Sequence, residues 1–269
     1  MSAIILDGRA MARSLKDGLR QEIEKLKRKY RTIPRLAVIQ IGQSPDLVIY
    51  LRSQERTAQT LGIEHRVYKL KPNIKEKKVI ELIKDLNENR QINGIMIQRP
   101  FPAHLNWQEI SRFITPQKNT EMISPTVLAI IELIEAAKVD LKGKEAVIIG
   151  RSDIIGRPLA MCLLDRRVTV TICHTATRDM LFHTKRAEIL VAAAGKPRLI
   201  KPAMVKKGAI VIDVGINKVD GKIMGDVEFE GVVKKAGFIS PVPGGVGPLT
   251  VVMLMRNVVN AFKSQRTKK

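Results

Sequence analysis

A chain of 269 residues has room for one large domain or two modest ones, and 45% hydrophobic with 27% charged content describes an ordinary soluble globular protein. No apolar run approaches a membrane span, the Met1–Leu19 opening mixes charges throughout and so is not a signal peptide, and four scattered histidines form no metal-ligand motif. The net charge of +21 invites nucleic acid, but aromatics make up only 4% and the basic residues are spread over predicted helix faces; a solvated basic surface, or a field that attracts a polyanionic substrate or cofactor, accounts for it better.

The opening Ala3–Leu6 is strand-like, and Met11, Leu15, Leu19, Ile23 and Leu26 then recur at the spacing of an amphipathic helix. Leu36–Ile41 is a buried strand ended by Gly42. Ser44-Pro45 starts a helix, with a capping hydroxyl and a proline in the first turn, that runs to about Thr60. Glu64–Leu70 is a strand, Ile74–Asn87 a lysine-rich helix and Ile92–Gln98 a third strand, ended by Arg99-Pro100-Phe101-Pro102. Strand, helix, strand, helix, strand is a small α/β unit, and such units bind ligands beyond the carboxyl ends of their strands. Gln98 and Arg99 stand at that rim. A polar connector, Lys118–Pro125, leads to a helix over Thr126–Ala137.

Ala146–Leu164 opens a second unit. Apolar Ala146–Ile149 has the length and branching of a buried parallel strand, and it runs through Gly150, a polar loop and Gly156 into an apolar helix. Such a turn aims backbone N–H groups and a helix N-terminus at an anion. The next strand, Val168–Cys173, ends in His174, Thr175, Ala176, Thr177 and Arg178, with no carboxylate for a ribose 2′-hydroxyl. With Arg151 in the glycine turn, the donors suit a 2′-phosphate, so the pattern leans toward NADP. Ile189–Ala194 and Ala209–Val214 supply two more strands. The glycine-rich Ser240–Thr250 loop, a second candidate anion cradle, leads into a helix through Ala261, and Arg266–Lys269 reads as a disordered tail. Cys162 and Cys173 read as buried thiols in a reducing cytoplasm.

The runs GRSDIIGRP, VTICHTAT, VAAAGKP, VIDVGIN, GDVEFE and above all PVPGGVGPLTVVMLMRN resemble the methylenetetrahydrofolate dehydrogenase/cyclohydrolase family, over nearly the whole chain. The resemblance implies a two-domain α/β protein: a smaller folate-binding domain over 1–124, a doubly wound, Rossmann-like NADP domain over 125–245, and a helix over 246–269 returning to the first. It also implies a homodimer acting on a tetrahydrofolate derivative, polyglutamylated or not; cytoplasm and the absence of a metal follow from the cysteines and from the missing ligand spacing. Carried over residue by residue, Gly150, Arg151, Ser152, Gly156, His174 and Thr175 match the cofactor-binding positions. Ile216 and Thr250 match positions near the nicotinamide, and Pro243, Gly244 and Gly245 lie where nicotinamide meets folate. Tyr50 matches the tyrosine that stacks on folate, Gln98 the glutamine beside the catalytic lysine, and Glu121 the carboxylate that grips the pterin.

The catalytic lysine of the family is absent. Its place, one helical turn after Tyr50, holds Gln54. The usual leucine after Gln98 is Arg99, the aspartate of the connector is Glu121, and a loop before Pro125 is missing. All these departures lie in the folate half. Hydride transfer needs positioning and stabilisation of a developing cation, whereas cyclohydrolysis needs protons moved. Gln54 has no titratable proton at neutral pH, and the guanidinium groups of Arg52 and Arg99 are too basic to act as bases. The resemblance thus implies a dehydrogenase with cyclohydrolase activity weak or lost. A second reading is a non-catalytic paralogue that keeps NADP but binds another ligand or protein. Each residue also has a structural counterpart: Tyr50 as a packing aromatic, Gln98 as a strand cap, Glu121 as a solvated carboxylate, Arg151 as surface charge.

Overall fold

The structure, a computed structural model, describes residues 2–43 and 45–267. Its elements in chain order are β1 (Ile4–Ile5), α1 (Gly8–Tyr30), β2 (Arg35–Ile41), α2 (Pro45–Leu61), β3 (Glu64–Leu70), α3 (Glu76–Glu88), β4 (Gly94–Ile97) and α4 (Trp107–Ser111). There follow α5 (Pro125–Ala136), β5 (Glu145–Ile149), α6 (Gly156–Leu164), β6 (Thr169–Cys173), α7 (Met180–Arg186), β7 (Ile189–Ala192) and β8 (Ile210–Asp213). The last are β9 (Asn217–Val219), β10 (Lys222–Met224), α8 (Phe229–Val232), β11 (Phe238–Ile239) and α9 (Val246–Thr267). Two compact units result, Ser14–Pro125 with Val251–Lys269, and Met1–Arg13 with Thr126–Thr250. The hydroxyl expected to cap α2 belongs to Ser44, outside the described residues.

The first unit is a parallel sheet in the order β3-β2-β4. Central β2, RLAVIQI, is buried on both faces, as a near-continuous apolar run requires. One face takes Val79, Ile83 and Leu86 of α3; the other, with Leu36, Val38 and Met96, packs on α1, α2 and the Val251–Val259 stretch of α9. The connector lies beside β4: Ile95 N donates to Lys118 O at 2.7 Å, and Thr120 Oγ1 to Ile95 O at 3.1 Å. Lys118 Nζ caps the end of α3 by donating to Leu86 O and Asn89 O, 2.9 and 2.7 Å away, where a cation suits a helix C-terminus. Glu121 follows directly.

In the second unit a six-stranded sheet runs β1-β11-β8-β7-β5-β6, parallel at every pairing. The winding reverses at β5, which has β7 on one side and β6 on the other. Ligands of doubly wound sheets bind beyond the carboxyl end of such a strand, and here that end is Gly150. The N-terminal strand pairs with β11, so the opening segment belongs to this sheet. A short hairpin, β9 with β10, stands apart.

Three expectations need correction. Arg266 and Thr267 are helical, not a disordered tail: the Arg266 guanidinium lies over the rings of Phe262 and Tyr30, 4.2 and 5.4 Å from their centroids, and Lys268 and Lys269 are outside the described residues. Cys162 is half-buried on α6, and only Cys173 is fully buried. The Ser240–Thr250 loop is shorter than read, because Val246, Gly247 and Pro248 already form the first turn of α9.

Phe262 is fully buried and meets Tyr30 edge-on at 5.9 Å. Phe262→Ala should cost about 3–5 kcal/mol in urea unfolding through the cavity it leaves; a loss under about 1 kcal/mol would mean that the end of α9 is not anchored there.

Candidate functional site

On α2, Tyr50 and Gln54 stand one turn apart on one face. Gln54 is completely buried. Its Nε2 donates to Gln98 Oε1 at 3.1 Å, with Met96 Sδ at 3.7 Å, and its Oε1 faces His65 Nε2 at 3.3 Å. Gln98 in turn donates from Nε2 to Arg99 O at 3.2 Å, while its backbone N–H continues the β-ladder to Ile39 O. Burial pushes the Tyr50 phenol up to about 12, with the nearby Glu121 adding to the rise and a hydrogen bond with Gln54 opposing it. Burial likewise pulls the His65 ring down, against the exposed Glu55.

Glu121 is no solvated loop carboxylate. Burial raises it to about 7, against the pull of Arg99 and of a backbone hydrogen bond at Ile97. Arg99 Nη2 lies 3.9 Å from Glu121 Oε1, and its guanidinium lies over the Trp107 ring at 4.2 Å from the centroid. Glu121 Oε2, Arg99 Nε and Nη1, and His65 Nδ1 are buried with no hydrogen-bond partner among the described residues. Unmet groups of this kind cost stability, and a native fold keeps them where a ligand or water supplies the partner. Tyr50, Gln54, Gln98, Arg99 and Glu121 are thus one cluster. Sequence reasoning left His65 out of it, because a histidine early in a strand carries no motif.

In the other unit Gly150 has φ +124°, and a Cβ on it would lie 2.3 Å from Ala193 O, so only glycine fits the turn. Ser152 Oγ accepts from Ile155 N at 3.2 Å and Gly156 N at 3.5 Å, which ties the loop to the start of α6. Arg151 is exposed beside it. At the tip of β6, His174 Nδ1 accepts from Ala176 N at 3.2 Å, and Thr175 and Arg178 are exposed. Gly244 and Gly245 are buried against the start of α1: Arg9 N donates to Gly244 O, and a Cβ on Gly8 would lie 1.8 Å from Gly245 O. Pro243 is exposed, and Thr250 Oγ1 donates back to Val246 O within α9.

Two aspartates that the sequence reading did not single out tie this rim together. Asp213 accepts from the backbone N–H groups of Gly215, Asp226 and Val227 at 2.9–3.0 Å. Asp226 accepts from Ala194 N, Gly195 N and Asn217 Nδ2 at 2.7–2.9 Å. Burial lifts Asp213 to about 6 in spite of its three donors. Between the two carboxylates the chain presents Ile216, 67% exposed. A lone Asp closing an all-apolar strand was the available signal. The crowded glycine turn, the exposed Arg151 and an apolar Ile216 held out to solvent fit a phosphorylated dinucleotide.

Residues 6–121 match the tetrahydrofolate dehydrogenase/cyclohydrolase catalytic domain, and residues 124–266 match the NAD(P)-binding domain of the same family. The chain belongs to the tetrahydrofolate dehydrogenase/cyclohydrolase family. It is 43% identical over 283 residues to the bifunctional protein FolD of Thermodesulfovibrio yellowstonii, covering 99% of each. The crystal structure of the bifunctional FolD methylenetetrahydrofolate dehydrogenase/cyclohydrolase from Campylobacter jejuni is similar at TM-score 0.95 and 38% identity, over 98% of this chain and 100% of that one. The Trypanosoma brucei enzyme, solved with NADP cofactor and inhibitor, matches at TM-score 0.93 and 33% identity, over 98% and 99%.

Because the Glu121 carboxyl is raised, the ligand-free fold holds a proton that the unfolded chain releases between pH 4.5 and about 7. Stability therefore falls as pH rises through that window, by about 3 kcal/mol from this group. Glu121→Gln should lose that component: urea midpoints at pH 5 and pH 8 should differ less than in the parent, and an equal difference would refute the raised carboxyl.

Proposed function

We infer that this protein oxidises 5,10-methylenetetrahydrofolate to the 5,10-methenyl form with NADP, and that the following hydrolysis to 10-formyltetrahydrofolate is weak or lost. The reading rests on Gln54, which the family resemblance puts where a lysine is expected, and which is fully buried with both ends of its amide engaged. When bound, NADP supplies the nicotinamide that takes up the hydride. Arg151 and Ser152 at the glycine turn and Thr175 beyond β6 would hold its phosphates, and Ile216 would give the ring an apolar wall.

The folate side follows from the unmet groups. A pterin edge offers adjacent N–H donors and a carbonyl oxygen. Glu121 Oε2 lacks donors and Arg99 Nε and Nη1 lack acceptors, so the pair complements that edge. As hydride leaves the methylene carbon, positive charge spreads over the two flanking nitrogens. Tyr50, Gln54 and Gln98 line up neutral dipoles that orient the bridge without opposing that charge. Water addition and ring opening make a different demand, a group that takes and returns a proton. Gln54 has none, Tyr50 holds its proton up to about 12, and Arg99 stays charged. Glu121 is committed to the pterin donors, and His65 Nε2 to the amide of Gln54. The reading extends to a cytoplasmic homodimer in one-carbon metabolism, supported by the family and by two free thiols.

Purified protein supplied with methylenetetrahydrofolate should reduce NADP and accumulate the methenyl product, with little hydrolysis above the uncatalysed rate. Gln54→Lys should restore hydrolysis by about tenfold or more, as expected of a general acid–base group. Intact NADP binding with no reduction would overturn the dehydrogenase in favour of a non-catalytic paralogue. Arg151→Ala should weaken NADP about ten- to a hundredfold and leave NAD nearly unchanged; equal losses in titration calorimetry would remove the 2′-phosphate from its role.

A further inference from the structure

His65 is the second residue of β3, in register with Leu36 of β2. It shares its sheet face with Val67, which packs in the core that Leu51 and Ala58 of α2 complete. Its Nε2 meets Gln54 Oε1, and its Nδ1 is buried without a partner among the described residues.

The direction of hydrogen bonding through the cluster is fixed from its far end. Arg99 O can only accept, so Gln98 turns its amide nitrogen toward it and its Oε1 toward α2. Gln54 must then present its own nitrogen to Gln98. That leaves Gln54 Oε1, which only accepts, facing the imidazole at 3.3 Å, and this contact is a hydrogen bond only when the ring is protonated on Nε2. The reversed arrangement fails at one step. With the proton on Nδ1, Gln54 would flip and set its oxygen against Gln98 Oε1, two acceptors about 3.1 Å apart.

We propose that His65 is a positioning residue for the redox step: as the neutral Nε2–H tautomer it locks the Gln54 amide with its nitrogen toward Gln98, and so sets the donor pattern that the folate meets. This rests on the reading that Gln54 lines the folate site. The surroundings keep the ring neutral. Burial disfavours the cation, Glu55 on α2 is exposed, and the adjacent Glu64 is held by Arg35 and Arg66. An aliphatic side chain would fill the same space but leave Gln54 Oε1 bare and the amide free to turn.

The test combines nitrogen-15 NMR of the full-length ligand-free chain with kinetics of three variants. The His65 ring should give the shifts of a neutral Nε2–H tautomer. His65→Leu should lower kcat about tenfold, a hydrogen bond's worth, and change KM by no more than about twofold. His65→Gln, which returns an N–H near the position of Nε2, should recover most of the loss. In a Gln54→Leu background, His65→Leu should cost nothing further, the non-additivity expected of one unit. An Nδ1–H tautomer, a wild-type kcat in His65→Leu, or additive losses would overturn the proposal. Should His65→Leu fail to fold, the wild-type tautomer decides. Should the wild-type chain turn over no folate, the dehydrogenase reading falls by itself and the tautomer still judges His65.

Discussion

Both large sheets are parallel at every pairing, and a parallel sheet with covered faces can bring polar chemistry out only at the ends of its strands. The rest of the molecule is arranged around that restriction. After β5 comes the glycine turn, after β8 the Asp213 carboxylate, and after β4 the Gln98–Arg99 pair. Each polar group that leaves the sheet is at once caught by another: Asp213 by three backbone donors, Gln98 by Gln54 and by the carbonyl of Arg99. Four of the groups that stay uncaught, Glu121 Oε2, two Arg99 nitrogens and His65 Nδ1, belong to the cluster around Gln54.

A lysine in place of Gln54 would bury a charge in this layer and demand a counter-charge or water. An amide needs neither, but it must be satisfied at both ends. Its nitrogen meets Gln98 and its oxygen meets His65, so this one side chain ties together residues from α2, β3 and the end of β4. Arg99 closes the other side of the cluster. Stacked on Trp107 and near Glu121, it places a fixed positive charge where it tempers a buried carboxylate.

Much of this was legible in the sequence. Runs such as LAVIQI and AVII read as buried strands, while the glycine turn after Ile149 gained meaning only from the carboxylate-free end of the next strand and from the family resemblance. The interest of Gln54 came through the family resemblance, which implies a lysine one helical turn after Tyr50. Less legible were the short pieces, α4, α7, α8, the β9–β10 hairpin and β11, whose few residues hold no full period of either pattern. The partner of β1 was hidden too, because strand pairing across more than 230 residues leaves no local trace. His65, Asp213 and Asp226 escaped for a common reason: their importance lies in what they meet across the fold, and none sits in a spacing that announces it.

The paired aspartates have a consequence for the thermodynamics of docking. Five backbone amides and one side-chain amide are tied to two carboxylates, so the segments around Ile216 are held before anything arrives. Ordering entropy that a looser wall would surrender on association is surrendered during folding instead. A guest settling against Ile216 would keep more of its contact enthalpy as affinity, and the segments there would look the same empty or filled.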